Sequence, residues 1–231
     1  METRGTAGTR SERARTALLD AAEALFAVHG IDAVSDRTIA EHAGTANHSA
    51  VGYHFGGRDG LLHALLLRAT GGKTAQTAQI FTELTADHDP DVRDVLTAHV
   101  TPWIRDFAAL PTPTRRARFL TQLPTSPALG DLVRDAGFEA LRLGVALDRT
   151  GVAPQGVPAD VLANRARMLD AMMLNAFASY EARLEDGAGD ETGDGTDDGD
   201  WSTVGGFLID AGVGLLSAAV TEPTHLLSTG R

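Results

Sequence analysis

The sequence predicts an all-α protein, with a domain of short helices at its start and a longer helical domain after it. Three observations carry that reading. From Lys73 onward apolar residues recur at helical spacing, with no alternating strand-like run and no Asn-Gly hairpin signal. Clusters of Pro, Gly and Asp, such as 87–90, 111–113 and 153–158, cut the pattern into helix-sized segments. Ahead of it, Ser35 to Phe55 reads as two short helices joined by a tight turn. With 231 residues, 43% of them hydrophobic, the chain can bury a sizeable core as one large or two modest domains.

Ser11 is placed to cap a first helix, in which Leu18, Ala21, Ala22, Leu25 and Phe26 form one apolar face and Gly30 ends the run after His29. Residues 1–10 are then a flexible basic arm. Ser35 can cap the second helix by accepting from a free N–H of its first turn, and Asp36 adds negative charge where the helix dipole favours it. Ile39, Ala40 and Ala43 share one face, and Gly44 supplies the backbone freedom that ends the helix. Asn47 can cap a third helix running through Val51 and Phe55, apolar at i and i+4. His48, Ser49, Gly52 and Tyr53 then fall on other faces, as short donors and acceptors beside an imidazole. Such groups suit base edges and phosphate oxygens.

These residues carry a resemblance. Ile39-Ala40-Glu41-His42-Ala43-Gly44, followed by Tyr53-His54-Phe55-Gly56-Gly57-Arg58-Asp59-Gly60-Leu61-Leu62, resembles the N-terminal domain of the TetR family of bacterial transcriptional regulators. The combination is far more specific than a bare helix-turn-helix pattern. Between Gly44 and His54 the sequence has one residue more than the commonest family spacing, which lengthens the turn at Thr45-Ala46 and makes Asn47 the expected cap. Gly52 stands where the family often has tyrosine, at a helix-interior cost of about 1 kcal/mol relative to alanine.

The resemblance implies a helix-turn-helix DNA-binding domain over 11–57 and a helical effector-binding and dimerisation domain over 58–231. It implies that Arg37 contacts a base edge and Thr38 a phosphate, that His48 and Ser49 open the recognition helix and read bases, and that Tyr53, His54 and Arg58 hold phosphates. A formal charge of -11 opposes binding to a polyanion, but residues 1–70 hold 7 Lys/Arg against 8 Asp/Glu, a net of -1, which leaves -10 for the rest. Arg4, Arg10, Arg13 and Arg15 cluster at the start, where they can track phosphates.

A fourth helix is expected from about Arg58, with Leu61, Leu62, Leu65 and Leu66 on its core side, to a loose end at Gly71-Gly72 that could act as a hinge. Further helices are expected near 74–86, 91–109, 114–122, 127–149, 158–185 and 202–220. Pro102 removes a backbone donor inside the second of these and should kink it near 98–100, leaving free carbonyls beside a ligand pocket. The pocket walls are expected from His99, Trp103, Phe107 and Phe119, together with Met168, Met172, Met173 and Phe177, although residues of these types at helical spacing are also ordinary core. Their character favours an apolar or aromatic small-molecule effector.

Residues 185–200 are acidic and of low complexity. Asp194, Thr196, Asp198 and Gly199 have calcium-loop spacing, but the closing position is Gly205 where a bidentate Glu is needed, so a flexible connector is expected rather than a metal site. Val161, Leu162, Leu169, Met172, Met173, Ala176 and Tyr180 on one side of the connector form an apolar face. Gly205, Gly206, Ala211, Gly212, Gly214 and Ala218 on the other allow close approach. Intramolecular packing alone could explain either set; the resemblance implies a homodimer whose paired helices form an interfacial bundle and present two recognition helices to a palindromic operator in double-stranded DNA.

The sequence has no Cys, which excludes thiol catalysis and cysteine metal sites and fits a reducing cytoplasm. No signal peptide or membrane-spanning run is apparent, so a cytoplasmic protein without a membrane partner is expected. An enzyme would draw on His99 near Asp94 or Asp106, but no nucleophile elbow, phosphate-cradling glycine loop or two-His metal spacing accompanies them, and no cofactor is expected. The alternative to a regulator is a helical interaction protein that keeps the scaffold without operator affinity, for which Gly52 and the overall acidity speak.

Overall fold

A computed structural model describes residues 4–112, 114–123, 132, 138–187 and 200–220. Among the described residues lie ten α-helices and one short 3-10 turn, with no strand. The chain divides into two compact units, Met1–Gly71 with Arg115–Gly137 and Gly72–Thr114 with Phe138–Arg231. The division falls at Gly71-Gly72 rather than at the expected boundary of 57 and 58.

The first unit holds α1 (Arg4–His29), α2 (Asp36–His42), α3 (Ala50–Phe55), α4 (Arg58–Thr70) and α7 (Arg116–Leu120). α1 starts at Arg4, so Ser11 lies inside the helix instead of capping it, and the segment read as a basic arm is helical from Arg4. No proline interrupts residues 4–10, and extending an existing helix avoids the cost of a new nucleus. Leu18, Ala22 and Phe26 of α1 pack with Ile39 of α2, Val51 of α3 and Leu61 and Leu65 of α4 in the buried core of this unit. Removing such apolar surface from water contributes roughly 1.5–3 kcal/mol per large side chain.

α7 was expected among the regulatory helices, and Phe119 among the pocket walls. Both belong to the first unit. The Phe119 ring is fully buried and stacks on Phe26 with centroids 6.0 Å apart. Gln122 donates from Nε2 to the Phe26 carbonyl at 2.6 Å and accepts from the Ile31 N–H at 3.1 Å, closing the end of α1. Beside it Glu23, nearly buried, accepts from Arg68 of α4 at 2.6 Å and from Arg116 of α7 at 3.3 Å.

The second unit holds α5 (Lys73–Leu84), α6 (Val92–Ala108), α8 (Leu143–Thr150), α9 (Ala159–Gly187) and α10 (Trp201–Ser217), with a 3-10 turn at Phe138–Leu141. α6 opens on a reciprocal cap: Asp91 accepts from the Asp94 N–H and Asp94 accepts from the Asp91 N–H, each at 3.0 Å. It continues as one helix through Pro102, which has no N–H to return to the Ala98 carbonyl. Val95, Leu96, Leu143, Leu147, Leu169 and Leu216 form one buried cluster of this unit.

Phe107 and Phe177, also expected as pocket walls, lie in a second cluster instead. The Phe107 ring stacks on Trp201 with centroids 4.8 Å apart and meets Phe177 at 5.0 Å. Gly205 and Gly212 of α10 are buried within the unit: a Cβ on Gly205 would stand 3.0 Å from Ile104, and one on Gly212 2.9 Å from Leu169. Those two glycines, with Leu169, Met173 and Tyr180, therefore pack intramolecularly. The connector beyond Gly187, with the calcium-like spacing, and the expected helical stretch before Phe138 lie outside the described residues.

Candidate DNA-binding surface and ligand cavity

In the first unit, local hydrogen bonds set the helix-turn-helix. The Ser35 hydroxyl accepts from the Thr38 N–H at 3.1 Å and lies 2.7 Å from the Thr38 hydroxyl, so the expected cap is formed and Thr38 Oγ1 takes part in it. α2 ends in paired backbone bonds, Thr45 N to Ala40 O and Gly44 N to Glu41 O, each 3.1 Å, with Gly44 at φ 69°. This closure needs a residue in the left-handed region, which glycine enters without the Cβ penalty.

α3 begins at Ala50, so His48 and Ser49 precede the helix rather than open it. Asn47 Oδ1 accepts from the Ser49 N–H at 3.0 Å, and the Asn47 carbonyl accepts from Ala50 N at 3.0 Å. Asn47 thus closes a turn ahead of α3 and does not cap the helix as expected, since the N-cap is Ser49 and carries no side-chain cap bond; the Asn47 bond is the local kind Asn favours in turns. Asn47, His48 and Ser49 are all exposed, as is Gly52, where a Cβ would meet no atom within 4 Å.

The remaining candidates divide. Tyr53 is 78% exposed and sets its ring edge-on to His54, centroids 4.9 Å apart, on a half-buried imidazole. Arg37 is exposed, yet its Nε donates to Glu41 at 2.8 Å, and His48 Nδ1 lies 3.8 Å from the same carboxylate. The hydrogen bond from Arg37 holds the Glu41 carboxyl below its ordinary value, so it stays ionised at neutral pH. Arg58 is turned inward: it donates to Asp36 at 3.2 Å and to the Ile31 carbonyl, with its guanidinium 4.5 Å from the Phe26 ring centroid. That geometry braces α4 against α1 and α2 and differs from the phosphate contact expected for Arg58. Arg15, exposed on α1, lies 4.9 Å from the Phe55 ring centroid.

A separate cavity of about 350 Å³ lies within the second unit. Three helical stripes line it: Thr74, Thr77, Ala78, Phe81 and Thr82 of α5; Val95, Ala98, His99 and Trp103 of α6; and Ala146, Arg149 and Thr150 of α8, with Ala140 and Leu141 beside them. Of the expected wall residues only His99 and Trp103 line it. Met168 is 58% exposed, while Met172 is partly buried against the apolar cluster and Met173 is buried. The α5 and α8 walls were missed because threonine and arginine carry no pocket signature. Their spacing at i, i+3, i+4, i+7 and i+8 was the available signal.

His99 is 4% exposed, with Nε2 3.5 Å from Asp170 Oδ1, beyond the distance of a good hydrogen bond. Asp170 accepts from the Leu143 N–H at 3.2 Å. In the same unit, Lys73 is buried against Asp106 at 3.0 Å and over the Trp103 ring at 4.8 Å, which braces the indole. Among the described residues no group of His, Cys, Asp and Glu could hold a metal ion, and no helix is long and apolar enough to cross a membrane.

Residues 18–65 match the model of the bacterial regulatory proteins of the tetR family. Among solved structures, the chain is similar to a TetR family transcription regulator from Marinobacter aquaeolei VT8, at 19% identity over 88% of this chain and 97% of that one, with a TM-score of 0.55. It is similar also to SmeT, the repressor of the Stenotrophomonas maltophilia multidrug efflux pump SmeDEF, at 20% identity over 91% of this chain and 96% of that one, TM-score 0.51. A third is HlyIIR, a hemolysin II transcriptional regulator, at 15% identity over 87% of this chain and 97% of that one, TM-score 0.52. At these identities the structural likeness shows the shared fold. No curated protein matches the chain.

Proposed function

We propose that this chain, which carries the DNA-binding domain of the TetR family of transcription regulators, acts in the cytoplasm as a ligand-responsive repressor that binds a palindromic operator as a homodimer. The observation that carries the reading is the helix-turn-helix itself: a capped α2, a glycine-closed turn, and an exposed rim of Asn47, His48, Ser49 and Tyr53 around α3. Those side chains present donors and acceptors from α3 and from the turn that leads into it, and a helix has the width a major groove admits. Arg37 joins them when a base edge or phosphate replaces Glu41, because an ion pair this exposed is weak and screened by salt.

Dimerisation is supported by apolar surface that the second unit leaves uncovered. Met168 of α9 and Phe207 of α10 are 58% and 61% exposed, and Gly206 and Gly214 face open space. A symmetric pair would carry two α3 helices to half-sites about 34 Å apart. The cavity in the second unit supports a small-molecule effector that favours a differently spaced dimer and releases DNA. Near-complete switching needs about 5.5 kcal/mol of differential affinity. Catalysis is not part of this reading.

The second reading, a scaffold without operator affinity, is favoured by the engagement of two of the expected DNA-contacting cations, Arg37 with Glu41 and Arg58 with Asp36. The deciding experiment is fluorescence anisotropy of the full chain on DNA from upstream of its own gene, against a scrambled duplex, at several salt concentrations. Tight, selective, steeply salt-dependent binding is expected of the regulator. Equal and weak binding to both duplexes, together with no enrichment in a genome-wide fragment selection, would reject it.

A further inference from the structure

The cavity of the second unit differs from a plain apolar pocket in two polar groups of its lining, Arg149 at the exposed edge and the buried His99. Arg149, in the last turn of α8, reaches the lining with no ion pair or hydrogen bond to any described residue. Among the described lining residues no carboxylate balances it. His99 is buried, and its Nε2, 3.5 Å from Asp170 Oδ1, makes no hydrogen bond. A buried polar group left in that state costs free energy that a ligand group can recover.

We infer that this cavity takes a compact amphipathic anion, an acid group on an aromatic or short acyl body, with the acid held by Arg149 and a polar group of the ligand meeting His99. The inference rests on the reading of the chain as a ligand-responsive regulator and names the class of its effector. Phe81 and the braced Trp103 supply flat apolar walls, and Val95 and Leu141 extend them, which suits a flat apolar body. Thr74 and Thr77 can donate to acid oxygens or ligand hydroxyls, whereas the Thr150 hydroxyl already donates to the Ala146 carbonyl at 3.0 Å. Arginine sits at the exposed edge, where its planar fork binds an acid without a buried charge being created in the empty protein. A cavity of about 350 Å³ falls at the small end of ligand pockets, which limits the body to a single or fused ring or a chain of similar bulk. This adds an acid group to the apolar or aromatic effector that the sequence suggested.

The test is isothermal titration calorimetry of the full-length protein with octanoate, 2-naphthoate, cinnamate and octyl phosphate, each carboxylate paired with its primary amide and the corresponding amine. At least one anion is expected to bind about tenfold or more tightly than its neutral and cationic counterparts, and Arg149→Gln should erase that preference while leaving amide binding unchanged. Arg149 is exposed, so the variant retains the fold, and an unchanged melting temperature verifies it. Amides or amines binding as tightly as the acids, or no heat from any anion, would overturn the inference. DNA release is read separately by anisotropy. Anions that bind and leave DNA bound would uphold the ligand class and reject the ligand-responsive reading; release by an amine alone would uphold responsiveness and reject the class.

Discussion

Two buried polar groups, one in each unit, meet opposite treatment. Glu23 of the first unit accepts from Arg68 at 2.6 Å and Arg116 at 3.3 Å and ties together three helices distant in sequence. His99 of the second unit is as deeply buried, yet its Nε2 stands 3.5 Å from Asp170 Oδ1 and makes no hydrogen bond. Gln122 and Arg58 extend the first pattern, each satisfying backbone carbonyls of the α1 end. The difference lies between the two sites and not between the units as wholes, since Lys73 of the second unit is itself buried against Asp106. A buried acid held by two guanidinium groups specifies one arrangement, whereas an imidazole short of a partner beside an open cavity can be completed by something that binds.

The strongest way to break this contrast is Glu23→Ala. Removing a nearly buried carboxylate from two guanidinium groups should destabilise the protein by about 3 kcal/mol, read as a fall in the chemical denaturation midpoint at unchanged slope. A loss below about 1 kcal/mol would mean that the network is not what secures the first unit. The effect should also reach DNA binding, since α4, which Glu23 holds through Arg68, packs on α3.

A smaller effect of opposite sign is expected at Gly52. Its helical backbone and the empty space around its missing Cβ leave nothing to oppose alanine, so Gly52→Ala should stabilise α3 by about 0.5–1 kcal/mol in thermal unfolding. If operator affinity drops while stability rises, the glycine serves close approach to DNA rather than folding.

The smallest stability change is expected for Glu41→Gln, because the residue is exposed, and its consequence should appear in DNA binding. Freeing Arg37 and His48 from the carboxylate should raise affinity for all duplexes and steepen the salt dependence. The same pair has a defined pH window. The folded-state value of Glu41 is lowered by Arg37, so its contribution is present above the ordinary glutamate range and is lost as pH falls through the lowered value. Melting of the wild-type and Gln variants should therefore converge in acid, and persistent divergence there would assign the effect to another group.

Much of the first unit was legible because it is built from local chemistry. The Ser35 cap, the Gly44 turn and the apolar face of α4 each involve residues within a few positions of one another. Local reading failed where propagation or remote contact decides: α1 runs upstream past Ser11, and α3 begins two residues later than His48. Arg58 shows the same limit at the candidate site. Its motif position suggested a phosphate, but the partners that turn it inward, Ile31 and Asp36, are 27 and 22 residues away.

The helical class, the turn chemistry and the placement of charge away from the reading motif were determined by the sequence alone, since periodicity, capping and composition are properties of short stretches. Only the tertiary structure decided which apolar residues are core and which line a cavity. Phe119 went to the first unit and Phe107 and Phe177 to an aromatic cluster, while threonines of α5 and Arg149 of α8 came to face His99 and Trp103. An amphipathic stripe records that a face is buried or half-buried. What it is buried against depends on contacts across many tens of residues, where burial area and close packing select the partner.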